Sequence, residues 1–338
     1  MNIFITLDYE LFFGANSGTC EKSIISPTNR LLEILDKHNI KASFFVDSGY
    51  LNKLNEYRKK HDELEENYQQ IITQIKNLSN DGHDIQLHIH PHWEDSYYDG
   101  SKWIIDTTRY RLHEFGDDEI DDIVYKYKNM LTSIIGNEVF AYRAGGWCIQ
   151  PFNRLKTALK KHNIWLDTTL FENGKNESTT HYFDFAGMPN KTIWKFENDP
   201  LIEDKNGFFT EIPISSYRVS PLFFWKLAFA KKLGGDKHKA FGDGVAAGGS
   251  KWDKIRMLTH FTNSVVSIDG YKASYLQDAF DGFKKKKDNK NFVIIGHPKA
   301  MSKYSLQKLE KFIFDNKDSN FTTYQKSFGM ENHEKQHC

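Results

Sequence analysis

Residues Gly82–Asp95 read GHDIQLHIHPHWED. The glycine stops the helix that the long polar stretch before it predicts. HDIQLH has strand character, and Pro91 breaks the run. Four histidines, His83, His88, His90 and His92, crowd this strand end. His88 and His92 are separated by three residues, with a proline between them that turns the chain, and suit two ligands of one divalent metal. A polar turn that is merely rich in histidine is the other reading, and the pair alone does not choose between them. His83 reads as a cap on the preceding turn. On an extended strand His90 shares a face with His88, but Pro91 can swing it away. It stays open as a support for a ligand, a spare ligand, or a ring pointed elsewhere.

Short apolar runs and helical patterns alternate outward from this stretch. NIFITLD, KASFFVDS, VFAYR, IWLDT, FFTEIPI, NFVIIGH and NFTTYQ read as strands. SPTNRLLEILDKHN, DDEIDDIVYKYKNMLTSIIGN, QPFNRLKTALKKHN, SYLQDAFDGFKKKKD and SLQKLEKFIFDN read as helices. Leu51–Asp81 reads as one extended helix. The alternation predicts an α/β fold, a distorted (β/α) barrel of about seven parallel strands. The expected organisation is one domain over 1–338, with a helical insertion at 51–81 and a loop and helical insertion at 215–265. Within the second insertion, SPLFFWKLAFAKKLGG is expected to be a core-facing helix, with a helix touching a partner or a membrane surface as the alternative. The glycine-rich FGDGVAAGGSKWD reads as a flexible loop and matches no phosphate-binding fingerprint.

Bulk properties exclude several classes. Basic and acidic residues balance at 45 each, which leaves no surplus for a nucleic-acid partner. The N-terminus meets Asp8 and Glu10 at once and is not read as a signal peptide. No apolar run is long enough for a transmembrane helix. Three cysteines, Cys20, Cys148 and Cys338, lack metal-like spacing, and their odd number suits a reducing compartment. The expected location is cytoplasmic.

Several strands end in a reactive residue: Asp8, His88, Arg143, Asp167 and His297. In parallel α/β folds, ligands sit at the carboxyl ends of the strands, so these residues are expected to converge. Asp8 and Glu10 in TLDYE lie two apart, on one face of a strand. One carboxylate can then ligate metal while the other serves as a general base.

The ordered set resembles the polysaccharide deacetylases with a NodB-homology domain (carbohydrate esterase family 4), over most of the chain from Ile3 to about His297. TLDYE stands where that family has Thr-Phe-Asp-Asp, with Tyr9 in place of the second Asp. HIHPH supplies both ends of the family's His-Ser/Thr-x-x-His, with Ile89 for the hydroxyl residue. RAGGW keeps the arginine and the aromatic residue of Arg-x-Pro-x-aromatic and has Gly145 for the proline. IWLDTTL offers Asp167, and NFVIIGHP ends in His297. The stretch GHDIQLHIHPHW is similar to an intracellular branch of the family linked to glycan assembly.

The resemblance implies Asp8 as base, oriented by Arg143, and Glu10, His88 and His92 as ligands of one divalent metal, with zinc the expected ion. Asp8 itself remains an alternative metal carboxylate. His297 is implied as the acid for the leaving amine, tuned by Asp167. Trp147 and Trp93 are candidates to stack on a sugar face, with core packing as the equal alternative. Glu211 either faces the pocket or is a paired structural carboxylate. The implied reaction removes an N-acetyl group from an amino sugar, in a cytoplasmic glycan precursor or polysaccharide. The rivals are a metal-dependent hydrolase of a small non-sugar amide, a non-catalytic glycan-binding protein and a structural metal protein.

Overall fold

The computed structural model describes residues 1–246, 251–286 and 289–329. Three strands near the N-terminus lie side by side in parallel: β1 (Asn2–Tyr9), β2 (Ser43–Asp47) and β3 (Asp84–Ile89). All of β2 and β3, and all of β1 past Asn2, is buried. Strands covered on both faces need continuous rather than alternating apolar sequence, which is why NIFITL and SFFV read as unbroken runs. The path continues from β3 through Ala141–Ala144 and Leu166–Asp167 to Phe209–Glu211, and from β1 to Asn291–Gly296. That makes seven parallel strands in one path. Asn320–Thr322 adds a further parallel strand on β1, and Trp194–Phe196 pairs antiparallel with Phe209–Glu211.

Two short segments close the gap between the ends of this path. Ser215 N–H donates to the Val293 carbonyl (3.0 Å), and Val266 N–H donates to the Ser215 carbonyl (2.7 Å). Ile295 N–H then donates to Val266 (3.0 Å), and Ile268 N–H to Ile295 (3.0 Å). The result is a distorted (β/α) barrel whose seam is stitched by single hydrogen bonds.

The helices cover the outside. They include α1 (Ser26–Lys37), α2 (Ser48–Tyr57), α3 (Asp62–Asn80) and α4 (Asp117–Ile135). Leu51–Asp81 is not one helix. The chain tightens at Arg58–Lys60 and is extended at His61, where α3 restarts. Asp62, Glu63 and Glu65 fill the first turn of α3, where the helix dipole favours negative charge. Arg58 bridges the break to Glu65 (2.8 Å).

Residues 216–265 leave the barrel as an excursion. Ser216–Val219 and Thr262–Val265 form its antiparallel stem. Helix Pro221–Leu233 packs Phe223 and Phe224 into a small cluster of its own with Val219. Only that face meets the core-facing expectation, because Leu222, Trp225, Phe229 and Leu233 are exposed. The glycine-rich loop is tied down where it is described. Phe241 N–H donates to Met301, Gly242 N–H to Lys299, and Val245 N–H to Asn16. Ala247–Ser250 and Cys338 lie outside the described residues. Cys20 and Cys148 are buried thiols, each pushed up to about 12 by burial.

Inside the barrel Asp167 and Glu211 are register partners and form a fully buried carboxyl pair. Glu211 is thus paired rather than turned to the pocket. Burial, and then the Asp167 charge, push the Glu211 carboxyl well above its ordinary 4.5. Folded protein therefore keeps a proton that unfolded chain loses as pH rises past that value, so this proton's contribution to stability declines with rising pH. Glu211→Gln fixes the protonated shape without the linkage. Urea titrations between about pH 5 and 8 should show wild type losing stability relative to E211Q as pH increases. A flat difference means that Glu211 is ionised in the native barrel.

Candidate active site and metal centre

The strand ends converge on one cavity of about 280 Å³. That is just below the range of about 300–1,000 Å³ for ligand pockets. Its walls include Asp8, Glu10, His88, His90, His297 and Lys299 from the barrel. Phe12, Phe13, Tyr110, Trp147, His181 and Ala246 close it from the loops.

Asp8 and Glu10 share a face, as period two requires. Tyr9 between them points the other way, and its hydroxyl donates to Gln74 Oε1 on α3 (2.8 Å). Arg143, fully buried, places Nη1 2.6 Å from Asp8 Oδ1. The contact is through one nitrogen. Nη2 donates to Thr6 Oγ1 (3.0 Å) and Nε to the Thr168 carbonyl (3.0 Å), so the rest of the fork is already engaged. Asp8 Oδ2 is left facing His297 Nε2 (3.5 Å) and His88 Nε2 (3.9 Å).

Glu10, His88 and His90 form a compact donor group, with ligand-type atoms within 4.8 Å of one another. Glu10 Oε2 lies 3.1 Å from His88 Nε2 and 2.6 Å from His90 Nε2. His88 Nδ1–H donates to the carbonyl of Arg143 (2.8 Å), which leaves Nε2 free to face the carboxylate. Burial opposes charge on His88, but Asp8 and Glu10 outweigh it and raise its pKa. Burial lowers His90 to about 4, so this ring is neutral. His90 Nδ1 has no hydrogen-bond partner among the described residues, and Nε2 meets only the Glu10 carboxylate. A neutral imidazole beside a second imidazole and a carboxylate is a donor set that fits a divalent cation.

His92 stands apart from this group. His90 remains extended, so it keeps the strand period with His88, and the chain turns only at Pro91–Glu94. The proline therefore swings His92 away rather than His90. The His92 ring stacks flat on Tyr110 (9° between planes) and against Trp93. Gly145 makes room for His90. A Cβ there would sit 2.6 Å from both His90 Nδ1 and the Ile89 carbonyl. His83 accepts the Ala42 N–H through Nδ1 (3.1 Å) and is structural.

Two further expectations need correction. Trp93 is completely buried, and its indole donates to Asp47 Oδ2 (2.6 Å), so it is packed in the core and offers no face to a sugar. Trp147 does line the cavity, beside Phe171 and Phe183. Asp167 does not tune His297. It accepts from Thr169 Oγ1 (2.7 Å) and pairs with Glu211 deeper in the barrel.

The carboxylate at His297 is Asp269. Its Oδ2 lies 2.8 Å from His297 Nδ1, and its Oδ1 accepts the His297 backbone N–H (2.8 Å). Burial opposes the charge on His297, but Asp269 outweighs it and raises its pKa. The signal for Asp269 was SVVSID, another apolar run ending in an acid, at the edge of the expected insertion. Lys299, two residues beyond His297, places Nζ 2.8 Å from Glu10 Oε1 and also donates to the Leu11 carbonyl. Burial opposes the Glu10 charge, yet Lys299 and the two histidines hold its pKa well below the usual range. Nothing in the sequence pattern marks this lysine.

Gly145→Ala tests the packing of His90. Overpacking of this kind costs about 1–3 kcal/mol. Urea denaturation should show that loss, and the His90 ring resonances should shift. A variant with unchanged stability and spectra means that the ring does not depend on the missing Cβ.

No family model matches the chain, and no curated protein does. Among solved structures, the chain is similar to a putative polysaccharide deacetylase from Mycobacterium smegmatis. The likeness is 15% in identity, with a TM-score of 0.50, over 99% of this chain and 91% of that one. It is also similar to the Puue allantoinase, at 13% identity and a TM-score of 0.52, over 97% of this chain and 91% of that one. The fold expected from the sequence, a distorted (β/α) barrel, is thus also the fold of these structures.

Proposed function

We propose that the cavity hydrolyses the N-acetyl group of an amino sugar, using a divalent metal held by Glu10, His88 and His90. The observation that carries this reading is the convergence on one small cavity of three elements. They are a carboxylate–imidazole donor set, an arginine-locked carboxylate, and a histidine backed by its own acid. A cation bound there supplies Lewis-acid polarisation of an amide carbonyl and makes water a stronger acid, and zinc suits the donors.

The chain's own residues supply the rest. Arg143 fixes Asp8 through Oδ1, so Oδ2 is the oxygen that takes the proton from the attacking water. Lys299 neutralises one oxygen of Glu10 and leaves the other to the histidines. As the C–O bond forms and the amide C–N bond breaks, the amine needs a proton, and His297 Nε2 provides it. Asp269 keeps the imidazolium of His297 favourable and its ring oriented. Phe12, Phe13 and Tyr110 exclude bulk water, and Trp147 offers an aromatic face to a sugar ring. The small cavity also favours a second reading, hydrolysis of a compact non-sugar amide.

Loaded with Zn²⁺ or Co²⁺, the protein should release acetate from N-acetylhexosamine derivatives. Turnover confined to small amides favours the second reading, and sugar binding without any acetate identifies a binding module. Asp8→Asn should abolish turnover with metal still bound. The ligand set is tested by substitution. His90→Ala should weaken metal binding by more than the roughly 10–100-fold typical of losing a ligand's supporting group. His92→Phe, which keeps the stack on Tyr110, should change it only a few-fold. Competition with a chromophoric chelator reads both, and equal losses would return His92 to the ligands.

The acid role has its own signature in pH. His297 must be protonated to act, and Asp269 raises its pKa. Asp269→Asn should therefore move the alkaline limb of kcat/KM to lower pH. A lower kcat with the limb unmoved would leave Asp269 as a packing residue.

A further inference from the structure

Helix Pro221–Leu233 is apolar on two opposite faces. Phe223 and Phe224 are buried, and Leu227 packs with them against the excursion's stem. Leu222, Trp225, Phe229 and Leu233 are 60%, 48%, 57% and 74% exposed. At 3.6 residues per turn these four fall in a stripe of roughly 80°, opposite the buried face. Lys226 and Lys232 border the stripe on its two sides, and both are exposed. The segment that Trp225 touches carries exposed apolar side chains of its own. The Trp225 indole donates to the Leu258 carbonyl (3.2 Å), and nearby Phe261 and Ile255 are 58% and 50% exposed. The charge is just as local. Residues 216–265 carry nine lysines and arginines against three aspartates, in a chain whose net charge is zero.

We propose that this face docks the protein on an anionic lipid bilayer, with the helix lying in the interface. Exposed Leu, Trp and Phe flanked on both sides by lysines match an apolar layer beneath a negatively charged one. Lysine stems lie along the apolar layer while their ammonium groups stay with the headgroups. Thirteen residues of helix reach about 20 Å, short of the roughly 30 Å hydrocarbon core, so the helix rests on the bilayer and does not cross it. The excursion also reaches the cavity, since Ala246 lines it and Gly242 N–H donates to the Lys299 carbonyl (2.9 Å). On the deacetylase reading above, on which this step rests, the substrate is an N-acetylated sugar carried by a lipid anchor.

Co-sedimentation tests the docking directly. Vesicles of phosphatidylcholine are compared with vesicles containing about a third phosphatidylglycerol. The full chain should bind the anionic vesicles, and binding should weaken with salt. Leu222→Ser/Phe229→Ser and Lys226→Glu/Lys232→Glu should each reduce binding by about 10-fold or more, with melting curves and acetate release from a soluble N-acetylhexosamine unchanged. Binding no stronger than to phosphatidylcholine alone, or variants that bind like wild type, overturns the proposal. So does a concentration-dependent dimer in sedimentation velocity that Leu222→Ser/Phe229→Ser abolishes while vesicles are ignored, because a second copy then covers the stripe. Vesicle binding without any acetate release upholds the docking and removes the deacetylase reading. Acetate release without vesicle binding does the reverse.

Discussion

The guanidinium of Arg143 is a full charge with no exposure to solvent. A buried cation is tolerable only when its donors are satisfied, and leaving it without its partner costs about 3–5 kcal/mol. Here the partners come from three other strands or their ends. Asp8 and Thr6 belong to β1, the Phe45 ring on β2 lies 4.2 Å away, and Thr168 follows Leu166–Asp167. The same residue's carbonyl accepts from His88 Nδ1. One position thus orients the Asp8 carboxylate with its side chain and fixes the tautomer of His88 with its backbone. The remaining site geometry depends on this double constraint.

Much of this was legible because chemistry sits at strand ends. Apolar runs closing on Asp8, His88, Arg143 and His297 announce both the parallel barrel and its reactive rim. What was illegible depends on parity and on partners distant in sequence. Whether His90 or His92 joins His88 turns on one residue of extension before Pro91, and proline in the sequence does not say on which side of it the strand stops. Asp167 and Asp269 each end a short apolar run. Only the closure of the barrel decides that the first meets Glu211 and the second meets His297. Trp93 and Trp147 look alike as aromatic candidates, and only burial separates them. Lys299 follows the strand Asn291–Gly296 in a turn whose direction no periodicity encodes.

Two departures from the resembled motif are linked by packing. Gly145, where a proline would be usual, is the position whose missing side chain admits the His90 ring. The place of the His90 ring therefore depends on a side chain that is absent from the neighbouring strand end. Tyr9 is a separate case. It faces α3, where its hydroxyl meets Gln74, so the site loses no inward-facing carboxylate to it. Glu10, one residue later on the inward face, stands there instead.

The seam of the barrel has a consequence for what the chain can carry. Ser216 and Val265 are paired partners at the foot of the excursion, and the bonds that close the barrel lie just outside them, at Ser215 and Val266. To the barrel, everything between those two residues is the loop of a hairpin. Its entry and exit stay at a fixed spacing whatever its length, and lengthening a loop adds only a slowly growing entropy. The barrel strands and the helix Pro221–Leu233 can therefore vary on separate schedules. The stretch from Phe241 to Ala246 cannot, because it is bonded to Met301, Lys299 and Asn16 and lines the cavity.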